Sequence, residues 1–277
     1  MWFGIVAVLL GWFVVSQVPA IAAAALLHPW RRAIPRLPPA PCVNATFEGA
    51  GGIAIRGWRC VPSAPPAGTV VFLHGVADNR MSGAGVVTRF LSRGFEAVTY
   101  DSRAHGESGG DFCTYGYHEK DDLRRVITAL GARRVVVIGH SLGGAVALQA
   151  AAEDDRIASV IAVESFSDLQ TVAGERAFYL PAWLVVRAFR YAEQKGAFKA
   201  SSVSPEQAAS RIKVPVFVIH GTADNSTSPE HAKRIHAALA GPKRLLLVDG
   251  ARHTQSLARP EVWNAIDQWI DAVLSAR

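Results

Sequence analysis

The chain has 277 residues, is 50% hydrophobic and carries a net charge of +6, which suits one sizeable α/β domain and excludes a largely disordered protein. The charge does not mark a nucleic-acid binder, because the basic residues fall in short pairs (Arg124-Arg125, Arg133-Arg134, Lys233-Arg234) with no interleaved aromatics to stack on bases. Solvated helix faces, or attraction to an anionic membrane, account for it more simply. With no Cys-x-x-Cys pair and no His-Glu-x-x-His, neither a metal nor another cofactor is called for.

Trp2 to Leu27 is almost wholly apolar, interrupted only by glycines, Ser16, Gln17 and Pro19. As a helix it would span roughly 39 Å, more than the roughly 30 Å of a bilayer's hydrocarbon core. Small residues at Ala20, Ala22 and Ala24 fit a signal-peptide processing site, but no Lys or Arg precedes the apolar run. Residues 1–27 are therefore expected to be an uncleaved single-pass membrane anchor, with a signal peptide as the rival. Arg31, Arg32 and Arg36 favour a cytoplasmic flank, whereas a disulfide in the domain would require an oxidising compartment, so the side of the membrane stays open.

Residues 28–42, with five prolines and three arginines before Cys42, read as an extended linker. The domain proper is expected over 43–277. Val43 to Phe47 and Ile53 to Arg59 form a strand pair about Gly51-Gly52, and Cys42 and Cys60 flank that turn symmetrically. They pair as a disulfide or remain two semi-buried thiols. Apolar, β-branched runs then alternate with amphipathic ones. Strands are expected at Thr69 to Leu73, Ala97 to Tyr100, Arg134 to Ile138, Ser159 to Val163, Val214 to Ile219 and Arg244 to Val248. Helices are expected at Gly83 to Ser92, Glu119 to Leu130, Gly143 to Ala152, Pro229 to Ala240 and Glu261 to Leu274. The order implies a mostly parallel eight-stranded sheet with helices on both faces. The interval from Val163 to Val214 is too long for a plain crossover and holds an apolar stretch, Phe178 to Ala192. It reads as a small helical cap at about 167–212, either buried against the domain or lining an apolar pocket or touching lipid.

Gly139-His140-Ser141-Leu142-Gly143 stands between an expected buried strand and a strong helix former. A serine at such a strand-to-helix turn is a nucleophile elbow, which needs small residues two positions before and after it. Serine needs an imidazole to take its proton and a carboxylate to orient that imidazole. In an open α/β sheet these must come from the carboxyl ends of strands. Asp224 follows the strand ending at Ile219 and His253 the strand ending at Val248, so the chain order is Ser, Asp, His. Glu164, at the end of the strand before the cap, is the alternative acid. His140 is expected to point away from the serine as a packing residue, and His74, His105 and His220 to make structural hydrogen bonds. The oxyanion hole is assigned to the backbone N–H groups of Leu142 and Val76, each worth about 3 kcal/mol.

The chain resembles the alpha/beta-hydrolase superfamily, and in particular its membrane-anchored, short-capped serine hydrolases. The resemblance covers about residues 43–275. It rests on His74-Gly75 with Asn79, the run Tyr100-Asp101-Ser102-Arg103-Ala104-His105-Gly106-Glu107-Ser108, the elbow, His220 to Asp224 and Gly250 to His253. It implies that the loop from Tyr100 to Ser108 is a brace for the oxyanion loop. The family usually has glycine where Ala104 and Arg252 stand, so the loop near His253 is expected to be shaped differently or to carry a positive charge near the site.

The expected activity is cofactor-independent hydrolysis of an ester or thioester, through an acyl-enzyme on Ser141, and the apolar cap and membrane anchor make an acyl-chain ester or a lipid the expected small-molecule substrate. A serine peptidase or amidase is the alternative within the fold. A non-catalytic membrane-anchored binding protein is the alternative from another class. Dehalogenases and epoxide hydrolases are disfavoured, since their nucleophile is aspartate.

Overall fold

Uninterrupted apolar runs become strands in this chain because both of their faces are covered. The computed structural model describes the backbone of residues 2–275 and the side chains of residues 13 and 15–275. In chain order the elements are α1 (Trp2–Leu27), β1 (Val43–Glu48), β2 (Ala54–Cys60), β3 (Thr69–Leu73), α2 (Ala84–Ser92), β4 (Glu96–Tyr100), α3 (Glu119–Leu130), β5 (Val135–His140), α4 (Leu142–Ala151) and β6 (Ile157–Val163). There follow α5 (Leu169–Arg176), α6 (Ala182–Gly196), α7 (Pro205–Ala209), β7 (Val216–Gly221), α8 (Pro229–Ala238), β8 (Lys243–Val248) and α9 (Pro260–Ser275).

The eight strands form one sheet in the order β1-β2-β4-β3-β5-β6-β7-β8. The β1–β2 and β2–β4 pairs are antiparallel and the rest are parallel. Side chains alternate between two cores: Val71, Leu73, Val135, Val137, Val216 and Val218 enter one, Val70, Phe72, Val136, Ile138, Phe217 and Ile219 the other. Helices α3, α4 and α8 close the first core, and α2 and α9 the second. All ten residues of α4 are buried, so the helix behind the elbow is wedged in place.

The structure pairs Cys42 with Cys60 in a disulfide across the β1–β2 hairpin, whose register sets Val43 opposite Arg59. The 28–42 segment is extended, and it lies against the domain: Arg31 donates to the carbonyls of Ser108 and Gly110 at 2.6 Å each, and Asn79 Nδ2 donates to the carbonyl of Arg32 at 3.1 Å.

The N-terminal anchor is corrected. Among the described residues, no helix is long and apolar enough to cross a membrane, so a single-pass anchor over 1–27 is not supported. Met1 and the side chains of 2–12 and 14 lie outside the described residues. The last turns of α1 are committed to the protein instead. Ala23 and Leu27 are buried in the first core, the Leu27 carbonyl accepts from Cys113 N at 2.8 Å, and the Leu26 carbonyl accepts from Tyr115 Oη at 3.1 Å.

The cap is also more closely bound than a loose lid. Helix α6 buries Leu184, Phe189, Ala192 and Gly196. A Cβ on Gly196 would come within 3.1 Å of Leu27, so α1 closes over this face of α6. Of the two roles left open for the 178–192 stretch, burial describes one face of α6, while Trp183, Val186 and Tyr191 stay exposed, and within the stretch only Phe178 lines the catalytic cleft.

Candidate active site

The elbow is tight in the way its glycines suggest. Ser141 lies between β5 and α4 with φ 51° and ψ −112°, a conformation unfavourable for any residue with a Cβ. A Cβ on Gly139 would stand 2.2 Å from the carbonyl oxygen of Gly143, and one on Gly143 would stand 2.3 Å from that of Leu73. Only glycine fits at either place.

The structure brings together the three side chains taken from separate loops. His253 Nε2 is 3.2 Å from Ser141 Oγ, and His253 Nδ1 is 2.7 Å from Asp224 Oδ2. Asp224 is in turn fixed by the loop after β7, since its Oδ1 accepts from the N–H groups of Ser226 and Thr227 at 2.9 and 3.0 Å. Burial works to raise the pKa of Asp224, but hydrogen bonds from His220, His253 and the Thr227 amide prevail and hold it well below the ordinary carboxylate range. It therefore faces the imidazole as an anion.

Val76 and Leu142 present the expected backbone donors. Neither N–H gives a hydrogen bond to a protein acceptor among the described residues, and Leu142 opens helix α4, where the helix dipole favours negative charge. The loop holding Val76 presses on the elbow: a Cβ on Gly75 would lie 3.4 Å from Ser141 Cβ. Its geometry is braced from behind. His74 donates from Nδ1 to the Gly75 carbonyl at 2.7 Å and accepts at Nε2 from Ser102 N at 2.9 Å. Asp101 accepts from Arg80 N and Nη1 at 2.8 and 2.5 Å and from Glu107 N at 2.9 Å. The loop from Tyr100 to Ser108 thus has the bracing role that the resemblance implies. Of the two departures, Ala104 takes up a left-handed φ of 59°, where glycine is the easier residue. Arg252 is exposed, with no positive φ, and does not line the cleft.

Two residues near the triad have closer roles than sequence reasoning assigns. Glu164 is not the acid that orients His253. Its Oε2 accepts from Thr254 N and, at 3.0 Å, from His140 Nε2, while its Oε1 accepts from Ser256 N and Oγ at 3.1 and 2.5 Å. Burial pushes its pKa up, but these donors, with His140 the foremost, bring it below the usual value. His140 is not a plain packing residue either. It lines the cleft, with its ring 5.4 Å from that of His253. One clue in the sequence was available, for Glu164 directly follows the apolar run Val160 to Val163. His220 fits its structural role, with Nε2 2.9 Å from the Thr227 carbonyl and 3.2 Å from Asp224 Oδ2.

Glu164, Asp224 and His253 place ligand atoms within 4.8 Å of one another, close enough to hold a metal ion. All four carboxylate oxygens already accept N–H or O–H donors from the surrounding loops. A metal would have to break that array, so the donors fit hydrogen bonding better than coordination. The cleft above Ser141 holds about 690 Å³, and its walls carry Arg32, Asp78, Glu175 and Arg176 beside Val76 and Phe178.

A parallel sheet with a strained serine at the β5–α4 turn, and an acid and a histidine on the loops after β7 and β8, defines an α/β hydrolase. The comparisons agree. The alpha/beta hydrolase fold family matches residues 68–199, and the TAP-like protein family matches residues 193–274. The uncharacterized protein YqkD of Bacillus subtilis (strain 168) is 31% identical over 224 residues, 77% of this chain and 73% of its own length. The chain belongs to the alpha/beta-hydrolase family, and hydrolysis is the chemistry that this membership supports. Its fold is similar to that of the Pyrococcus furiosus esterase Pf2001, with a TM-score of 0.75 and 23% identity over 89% of this chain and 99% of that one. It is similar also to an acetyl xylan esterase from Paenibacillus sp. R4, with a TM-score of 0.67 and 21% identity over 94% and 93% of the two chains.

Proposed function

We propose that the chain is a serine hydrolase of carboxylic esters or thioesters that acts through an acyl-enzyme on Ser141. The observation that carries this reading is the continuous path Asp224–His253–Ser141, which ends beside the two unspent N–H groups of Val76 and Leu142. In acylation, His253 Nε2 takes the proton of Ser141 Oγ as the oxygen attacks the carbonyl carbon. The developing oxyanion is received by the two N–H groups. His253 then gives its proton to the departing alkoxide or thiolate, and a water molecule repeats the sequence to release the acid. Asp224 holds the Nδ1–H tautomer and stabilises the imidazolium.

The substrate side of the reading is narrower than the apolar cap suggests. Phe178 and Val76 supply the apolar wall, but Arg32, Asp78, Glu175 and Arg176 surround them, and burying a long acyl chain against these charges would cost their solvation. A compact acyl group with a polar leaving side suits this cleft best. The test is a panel of short and long acyl esters, thioesters and peptide amides, combined with fluorophosphonate labelling. Short esters should be turned over fastest, and Ser141→Ala should abolish labelling and lower kcat by about 10⁴-fold or more. Hydrolysis that survives Ser141→Ala unchanged, or folded protein that neither labels nor turns over any ester, overturns the reading. Faster turnover of amides than of esters moves it to a peptidase or amidase.

A further inference from the structure

We propose that Glu164 is a positioning residue for this site, a buried carboxylate that ties the nucleophile elbow to the loop carrying His253. The inference rests on the serine-hydrolase reading above. Glu164 follows β6 directly, between the tip of β5 and β7, and is wholly buried. Its backbone N–H is spent on the Ile219 carbonyl at 2.8 Å. Its side chain reaches two ways. On one side it receives His140 Nε2, from the residue before the nucleophile, and on the other it receives Thr254 N, Ser256 N and Ser256 Oγ.

Four donors, two to each oxygen, leave no part of this buried carboxylate unsatisfied. What they join is the more telling point. Ser141, Glu164 and Thr254 all have positive φ, at 51°, 53° and 71°, where a residue with a Cβ is strained. Backbone strain of this kind persists where the surroundings over-determine it. Here one carboxylate spans all three places: its own residue, the neighbour of Ser141 and the amide of Thr254.

The amide of Thr254 belongs to the peptide unit that leaves His253. Asp224 therefore fixes the imidazole at Nδ1, and Glu164 fixes the backbone from which the imidazole hangs. With both in place, Nε2 is held toward Ser141 Oγ. Glu164 touches neither the imidazole nitrogens nor the serine in the hydrogen-bond network, so it acts through the loop.

The test compares Glu164→Gln, Glu164→Asp and Ser256→Ala with wild type, with active sites counted by fluorophosphonate titration. Glutamine keeps the shape but replaces one acceptor by a donor that faces other donors. It should lower kcat per titrated site by about ten- to a hundredfold while KM stays within about twofold, the signature of a misplaced general base. Glu164→Asp should recover part of that loss by restoring the charge. Ser256→Ala removes a single bond and is the variant to read if Glu164→Gln does not fold. It should lower kcat per site by roughly threefold. A second readout needs no substrate: the low-field proton resonance of the His253 Nδ1–H should broaden or move in Glu164→Gln. Normal kcat per titrated site with an unmoved resonance, even alongside a lower melting temperature, overturns the proposal by making Glu164 purely structural. If wild type hydrolyses no ester, the serine-hydrolase reading falls, and the resonance still decides what Glu164 does to the histidine.

Discussion

Asp224 and Asp101 each sit just past the end of a strand, both are buried, and both accept three or more hydrogen bonds, yet their acidities move in opposite directions. Asp101 is clamped by the Arg80 guanidinium and two backbone amides. Burial nevertheless raises its pKa, and those hydrogen bonds offset the rise only in part. Asp224 is met by two histidines and two loop amides at the rim of the cleft, and its pKa falls well below the ordinary value. The side of the site that carries Val76 uses its carboxylate as a fastener in the dry interior. The histidine side uses its carboxylate as a standing charge. The comparison teaches that a full positive charge nearby does not by itself lower the pKa of a buried acid, because what decides is the balance of donors against lost water.

Exchanging each acid for its amide should separate the two roles. Asp224→Asn is expected to lower kcat by about 10⁴-fold, since the wrong imidazole tautomer would face Ser141, and to lower the urea midpoint at neutral pH as well, where the carboxylate with its depressed pKa is stabilising. Asp101→Asn is expected to act mainly on stability. Its amide NH2 would stand among the donors of Arg80 and the Glu107 amide that the carboxylate accepts, an apposition that should cost about 1–3 kcal/mol in urea unfolding. Activity per titrated site should stay within about tenfold, because the brace lies behind the oxyanion loop and outside the reacting atoms. Equal losses of activity in the two variants would erase the distinction.

Acid provides a sharper test of the opposed directions. Asp224 and Glu164 have folded pKa values below their unfolded ones, so their contribution to stability is complete above the ordinary carboxylate range and is lost as pH falls through the depressed values. Asp101 and Asp122 are raised, so the folded protein takes up their protons before the unfolded chain does and acid relieves their cost. Between about pH 5 and pH 3, wild type should lose stability on acidification. Asp224→Asn should lose less than wild type over the same interval, and Asp101→Asn should lose more. Urea midpoints at a series of pH values read both slopes, and parallel slopes in all three proteins would refute the opposed directions.

The histidine side was the more legible of the two regions in the sequence. Ser141 and Asp224 follow the buried strands β5 and β7, His253 follows the half-exposed edge strand β8, and each stands in a glycine-marked turn, so local pattern and strand order together place them at one rim. The expected strand and helix ends differ from the observed ones by a residue or two, as with Gly143 to Ala152 against Leu142–Ala151. Glu164 was visible only as a competing acid. Its true partners, Thr254 and Ser256, lie some ninety positions away (|i−j| of 90 and 92), and no local periodicity reports how a loop lands on a strand end. The apolar first segment misled for a related reason. Hydropathy records that Ala23 and Leu27 avoid water, but the same avoidance is met by packing against α6 and the first core, and composition alone does not say which.

The smallest effect concerns the brace itself. Ala104 is buried in the first core with a φ of 59° and donates its N–H to the Gly109 carbonyl at 3.0 Å. Glycine there would relieve about 1–2 kcal/mol of left-handed strain. It would also lose a buried methyl worth about 0.8 kcal/mol and add about 0.5–1 kcal/mol of chain entropy to the unfolded state. These opposed effects nearly cancel, which explains how alanine is tolerated where the family usually has glycine. Ala104→Gly should therefore shift the unfolding free energy by less than about 1 kcal/mol and leave kcat unchanged. A larger gain would mean that the strain is held in place by the rest of the brace, and a larger loss would mean that the methyl group fastens the loop as firmly as Asp101 does.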